Sequence, residues 1–451
     1  MDTLRWPQSD EWPCVDPLVY KRILFQGANR ARGAQAKRVI GQSYHPKLVV
    51  FRRFSRLIVL AMLPQLQWLF WLSVATVVVI TVGYPVLLVA LGPILRRPWG
   101  IQAEEPRVSL IIAAHNEETC IARKLDNSLA LGYPRERLEI LVASDGSTDG
   151  TNAIVESYRA QGVVLCNYAR MGKTGIQNET VRRAQGDIVV FSDANAMYRV
   201  DAVRKLVRNF ADSEVACVCG QLVYEGKGAG AGDSESSYWS YEKFIKRRES
   251  EVSSLIGANG SIYAVRRADY VELEPDLISD FVEPLALVAR GKRVVYEPEA
   301  VSVEEASVSY GGEFRRKVRI LTRSIKGLLH MRGLLNPFRY GIFSLQLLMH
   351  KLLRYLVPLF LVTGAASLLG LAVLGSYRTL FLFAVSATLL AVLVGRSSTV
   401  KPANLAVRIC HLLYYYLMVN YALVLAWGNV IRGRGVTVWA PERRNEGVGQ
   451  G

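Results

Sequence analysis

The sequence predicts an α/β protein whose mostly parallel sheet domain is inserted between N- and C-terminal transmembrane helices. Three observations predict it. Between Val108 and Asp193, short apolar β-branched runs alternate with helix-length segments, the pattern of parallel βαβ units. From Trp68 to Leu95 the chain carries no charge, longer than the roughly 20 residues that cross a bilayer. Near the other end, Tyr355 to Leu374, Leu380 to Val394 and Ile409 to Ile431 are three more apolar stretches, the middle one short. At 451 residues, 51% of them apolar, the chain is too long for one ordinary core.

Residues 1–67 form a basic N-terminal region, expected to be partly interfacial, and 68–95 the first anchor. No short leader with a cleavage site opens the chain, so this span is expected to stay. After the charged linker "RRPWGIQAEEPR", "VSLIIAA", "LEILVAS", "VVLCNYA" and "DIVVFSD" read as strands. The segments between them, from "EETCIARKLDNSLAL" to "KTGIQNETVRRAQG", read as helices covering the sheet. The Gly/Ser-rich "GKGAGAGDSESS", 226–237, reads as a mobile loop. Over 313–353, Phe314, Val318, Leu321, Ile325 and Leu328 recur at helical spacing among Arg315, Arg316, Arg319, Arg323 and Lys326. That predicts amphipathic helices lying in the membrane interface. A bundle of about three spans, 354–431, and a basic tail, 432–451, complete the chain.

The formal charge of +16 fits contact with anionic membrane lipids, and nucleic acid is not expected as a partner. The six cysteines make no metal framework, since Cys217-x-Cys219 lacks companion ligands, and they read as reduced core residues.

Chemistry is signalled where the strands end. "AAHNEE" (113–118), "SDGSTDG" (144–150) and "SDAN" (192–195) place polar and acidic residues after apolar runs. A buried carboxylate is expensive unless paired or ligated, so Asp193 either caps the next helix or faces a ligand. Three such ends at one edge of a parallel sheet imply a shared cleft. The loop "ARMGKTG" (169–175) adds Arg170 and Lys173. Carboxylates and basic residues around one crevice suit a nucleoside diphosphate bound with Mg²⁺ or Mn²⁺, which take hard oxygen ligands and bridge phosphates. Neither a P-loop nor a dinucleotide fingerprint is present.

"VSLIIAAHNEE", "ILVASDGSTDGT", "ARMGKTG", "VVFSDAN", "GANGSIYAVRR" and "ISDFVEPLALVARGKRVVYEPEA" follow the order and spacing of family 2 glycosyltransferases. The chain resembles a membrane-anchored member, similar to processive synthases of β-linked polysaccharides. The resemblance implies a Rossmann-like GT-A domain over about 106–312 and a nucleotide-sugar donor, a UDP-sugar. It places Asn116, Glu117, Asp145, Lys173 and Asp193 around that donor. It gives Asp193 the first position of the family's D-x-D metal pair; the second is the neutral Asn195, a weaker ligand. It makes Asp280 the catalytic base, with Glu283 as the alternative. Acceptor or diphosphate contacts fall on Gly260, Arg316 and Arg319. Where processive members carry Q-x-x-R-W, this chain has "RKVRI", which keeps the arginine and loses the tryptophan platform.

The resemblance further implies a glycan or lipid-linked acceptor, membrane lipids and export proteins as partners. The expected location is a bacterial plasma (inner) membrane, multi-pass, with the catalytic domain cytoplasmic. Arg396, Lys401 and Arg408 agree with an inside loop, whereas eleven Lys and Arg before residue 57 fit poorly with an outside N-terminal tail. A catalytically silent scaffold subunit is the reading from another class.

Overall fold

The computed structural model describes residues 61–225, 231–305, 310–396 and 405–434. The readings of the basic N-terminal region up to residue 60, residues 226–230, the loop 397–404 and the tail from 435 lie outside the described residues.

Eight strands form one sheet in the order β3-β2-β1-β4-β7-β6-β8-β5. They are β1 (Val108–Ala114), β2 (Leu138–Asp145), β3 (Val163–Tyr168), β4 (Ile188–Asp193), β5 (Met197–Tyr198), β6 (Val215–Glu225), β7 (Tyr263–Arg266) and β8 (Arg293–Glu305). The first four pair in parallel, as the alternating pattern predicts. β7 enters antiparallel between β4 and β6, and β6 pairs in parallel with β8. The result is a mostly parallel, Rossmann-like sheet.

Alternate residues of each strand feed two cores. Leu110, Ile112, Ile140, Val142 and Val190 pack with helices α2 (Ile121–Leu129), α3 (Thr151–Ser157) and α5 (Ala202–Val207). Ile111, Leu141, Val189, Phe191 and Tyr263 pack with α4 (Gly172–Arg183) and α7 (Ser279–Ala289). Covering both faces accounts for the continuous apolar runs, because neither face meets water.

The first long helix, α1, runs from Ala61 to Leu95, its C-terminal part re-wound through a π turn at Val79–Gly83. It docks on α6 (Ala231–Val252) through Tyr84, Leu88 and Ile245. The Gly/Ser-rich stretch 226–237 reads as a loop throughout, yet its second half, from Ala231, is the first turns of α6. Packing of the rest of this 22-residue helix overrides the weak propensity of its start.

α8 spans Tyr310–His330 and ends there, short of 353, because Gly333 and Asn336-Pro337 interrupt the pattern. Ile325 and Leu328, from the stripe assigned to the acyl chains, are buried in the sheet core. α9 (Ile342–Tyr355) and α10 (Val357–Val373) meet at a 54° bend, where Pro358 lacks an amide donor. α11 (Arg378–Arg396) and α12 (Leu405–Ile431) follow. Among the described residues three helices are long and apolar enough to cross a membrane, or four if the bent pair is one span.

Candidate active site

Strand register brings the polar ends together. Ala113 lies opposite Asp193, and Ala114 opposite Ser144, so the segments after β1, β2 and β4 share one edge. Asn116 turns left-handed there, at φ 55°, and its Oδ1 accepts from Thr148 N at 2.8 Å. The Glu117 amide donates to Thr151 Oγ1 at 2.8 Å. The two loops are therefore stitched to each other, with the Asn116 side chain exposed.

Asp145 is fully buried and accepts from Arg170 Nη1 at 2.9 Å, Met171 N at 2.7 Å and Gly172 N at 3.0 Å. Its carboxylate fixes the loop that opens α4. One residue on, Lys173 Nζ donates to Asp193 Oδ1 and, at 3.4 Å, to Gly260 O. A Cβ on Gly260 would stand 2.8 Å from Asp280 Oδ2 and 3.0 Å from Lys173 Nζ. Lys173, Asp193, Gly260 and Asp280 therefore meet at one point. Four distant segments contribute one residue each.

Asp280 sits in the first turn of α7, its peptide oxygen held by Ala258 N at 2.6 Å. Its Oδ1 is buried with no hydrogen-bond partner among the described residues. Burial pushes the carboxyl above its ordinary value, opposed by Lys173 and reinforced by Asp193. Burial works to lower Lys173, but Asp193 and Asp280 outweigh it and hold the ammonium above its ordinary value. Glu283 turns the other way. Its Oε1 accepts from Val271 N at 2.8 Å inside the core, and burial raises it to about 8.

A cavity of about 300 Å³ opens from Asp193, Gly260 and Asp280 towards Arg316 and Ile320 of α8, Lys351 of α9 and Leu423 of α12. Arg316 meets Tyr224 Oη at 3.0 Å and Glu313 at 3.2 Å. Arg319, the position that matches the family's arginine, is not among the cavity-lining residues, whereas Arg316 is. Asn195 is half-buried in the turn after Asp193. The sequence does not single out several polar lining residues, among them Glu242 and Lys246 of α6, Glu304 at the end of β8, and His350, Lys351 and Arg354 of α9. Glu304 had a usable signal, since "VSVEEA" is one more acidic strand end.

A family model, "Glycosyl transferase family 2", matches residues 109–273. These bounds take in the ends of β1, β2 and β4, the Lys173 loop and Gly260. The chain carries a family 2 glycosyltransferase domain. A beta-monoglucosyldiacylglycerol synthase from a Synechocystis strain is 39% identical over 24% of this chain and 23% of its own length. A poly-beta-1,6-N-acetyl-D-glucosamine synthase from Staphylococcus aureus is 26% identical over 47% of this chain and 53% of its own. The matched part thus spans about half or less of these relatives. A mannosyltransferase from Pyrobaculum calidifontis, solved with GDP-Man and Mn²⁺, superposes with a TM-score of 0.61 at 22% identity. That match covers 81% of this chain and 99% of that one, and it shows the GT-A fold. The glycosyltransferase domain is flanked on both sides by the apolar helices described above.

Proposed function

We propose that this protein is an inverting glycosyltransferase that moves a sugar from a UDP-sugar to a growing extracellular polysaccharide. We place it in a bacterial plasma membrane, with the domain on the cytoplasmic side and the segment 313–353, whose Ile325 and Leu328 face the core, meeting the interface only through exposed residues such as Ile320 and Leu329. The observation that carries the reading is that Asp280 lines one cavity with Asp193 and Gly260, its Oδ2 beside Gly260 and its buried Oδ1 without a hydrogen-bond partner among the described residues. A carboxylate with no protein donor, raised by burial, is suited to receive a proton.

The site's residues divide the work. Asn116, Glu117 and the Asp145-anchored loop border the base and ribose of the donor, and Lys173 lies where its diphosphate ends. The acceptor hydroxyl approaches through the cavity past Gly260 and gives its proton to Asp280 as the new C1–O bond forms. The C1–O bond to the diphosphate breaks on the opposite side, and Lys173 and Arg316 balance the negative charge there.

The donor set fits a divalent metal. Asp193 and Asn195 offer hard oxygens, and of the two Asp193 carboxylate oxygens Lys173 bonds Oδ1. No group of three or more His, Cys, Asp or Glu converges among the described residues. Mg²⁺ or Mn²⁺ would thus be held by Asp193 and Asn195 and otherwise by donor phosphates and water, the usual mode for Mg²⁺. Bound there, the metal supplies charge neutralisation for the departing diphosphate.

The test uses membranes containing the full chain, a panel of labelled UDP-sugars, and Mg²⁺ or Mn²⁺. Wild type is expected to consume one donor, and Asp280→Asn to lose transfer by at least about 10²-fold. If wild type consumes none with glycan and lipid acceptors both supplied, the silent-scaffold reading takes over. A second reading, transfer of one sugar to a polyprenyl or other lipid acceptor, is favoured by Val419 and Leu423 of α12 in the cavity wall. A polymer ladder against a single lipid-linked sugar separates the two.

A further inference from the structure

Beneath the Asp193 turn lies a lysine that the reaction scheme does not use. Lys124, on α2, is 0% exposed. Its Nζ donates to the Ala196 carbonyl and stands 3.9 Å above the Tyr198 ring. No carboxylate pairs with it among the described residues. Asp193 and Glu304 reach it through the field alone, and burial lowers it to about 7. A buried ammonium without an ion-pair partner is expensive. A methionine would fill the same volume with no such cost, so the nitrogen must be serving what it bonds.

What it bonds is the turn that carries the donor-facing pair. Ala196 N closes the turn on Asp193 O at 3.2 Å, and the Ala196 carbonyl is the group that Lys124 holds. The same helix grips the next residues, since Asn127 bonds Tyr198 at both N and O, each at 2.8 Å. Tyr198 Oη then reaches Phe191 O at 2.9 Å and Ser261 O at 3.0 Å, tying the turn to β4 and to the residue after Gly260. With a neutral Asn195 in place of a second carboxylate, this turn has less charge of its own to hold a cation, and its geometry counts for more.

We infer that Lys124 is a positioning residue, which from under the turn sets Asp193 and Asn195 in the arrangement that receives a metal-bound nucleoside diphosphate. The inference rests on the donor-binding reading above. Groups outside a ligand set that orient it typically contribute 10–100-fold in metal affinity.

The test uses the purified full chain in detergent with UDP and Mn²⁺. Mn²⁺ binding at saturating UDP is followed by electron paramagnetic resonance, UDP binding is measured separately in EDTA, and thermal unfolding checks the fold. Lys124→Met keeps the stem and removes the nitrogen. Lys124→Gln keeps a donor without the charge. Both are expected to weaken Mn²⁺ binding, the methionine variant by about tenfold or more, while metal-free UDP binding, made at Asn116 and Asp145, stays at the wild-type level. Wild-type Mn²⁺ affinity in both folded variants overturns the inference, as does an equal loss of metal-free UDP binding. If the methionine variant does not fold, the glutamine variant decides on the same readouts. If neither folds, Lys124 is a stability residue and the positioning role is overturned. If wild type itself binds no Mn²⁺ with UDP, the donor reading fails, a result distinct from unaltered variants beside a binding wild type.

Discussion

Asp280 and Glu283 stand one helical turn apart in α7, and their surroundings separate their roles. Each has one buried oxygen without a partner among the described residues, but only Asp280 lines the cavity, whereas Glu283 is 1% exposed and turned into the core, its Oε1 bonded to Val271 N. Raised by burial to about 8, Glu283 is mostly protonated at neutral pH and is a poor base there. Glu283→Gln is therefore expected to keep transfer activity within about threefold, in contrast to Asp280→Asn. The same shift sets a stability signature. The folded state binds the Glu283 proton between its ordinary carboxylate value and about 8, so stability falls as pH rises through that window and levels off above it. Glu283→Gln should flatten that part of a plot of Tm against pH. Asp280 gives a kinetic counterpart. Its raised carboxyl is protonated further up the pH scale than an ordinary aspartate, so activity should fall on acidification before an unperturbed carboxylate would titrate. A pH–rate profile of kcat/KM checks it. Asp193 was legible in the sequence because a carboxylate closing an apolar strand is chemically out of place, whereas Asp280, an ordinary acid in a helix's first turn, was legible only through the family resemblance. Lys124 was not, because a lysine in a charged helical segment reads as solvated until the packing is seen.

Between elements, the base depends on how α7 meets α8. Gly327 lies at the crossing, where a Cβ would come 2.7 Å from Val282 Cγ2 and 3.2 Å from Phe281 Cδ1. An alanine there gains roughly 1 kcal/mol of helix propensity but overpacks at a typical cost of 1–3 kcal/mol. Both contacts are with neighbours of Asp280, so the overpacking is expected to win. Gly327→Ala should lower Tm by a few degrees and reduce kcat more than donor KM, checked by thermal unfolding beside initial rates. The parallel strands β1 to β4 could be read from apolar runs, since residues buried on both faces leave an unbroken signal. The antiparallel entry of β7 was not legible, because strand order depends on long-range pairing that no local pattern encodes. The α8 stripe shows the limit from the other side. Helical spacing revealed an apolar face, but a lipid surface and a protein surface ask for the same residues, and only the fold shows Ile325 and Leu328 inside the core.

At the scale of the molecule, the catalytic domain and the apolar helices share one interior. The core that holds Phe191 and Tyr263 of the sheet continues through Phe281, Ile325 and Leu328 to Phe343, Leu347 and Tyr355 of α9 and Leu423 of α12. A polar joint reinforces it, where Glu249 of α6 accepts from Tyr84 Oη of α1 at 2.5 Å and meets His350 Nδ1 of α9 at 2.7 Å. The sequence places a boundary between a catalytic domain and a membrane bundle, and chain order alone does not show that their cores merge. The merger has a measurable consequence. A fragment of residues 96–330 would lose the apolar cover of Phe281, Ile325 and Leu328, each worth roughly 1.5–3 kcal/mol when fully buried. Together that is on the order of 5–9 kcal/mol, comparable to the 5–15 kcal/mol by which whole domains are stable. It would also strip Tyr84 and His350 from Glu249 and leave that buried carboxylate short of partners. The fragment is expected to aggregate on size-exclusion chromatography, while the full chain in detergent elutes as one symmetric peak. A soluble fragment with a cooperative unfolding transition would show instead that the two cores are energetically separate. The Asp280 cavity, walled in part by Lys351 and Leu423, would then have to be completed by a bundle that docks without holding the domain together.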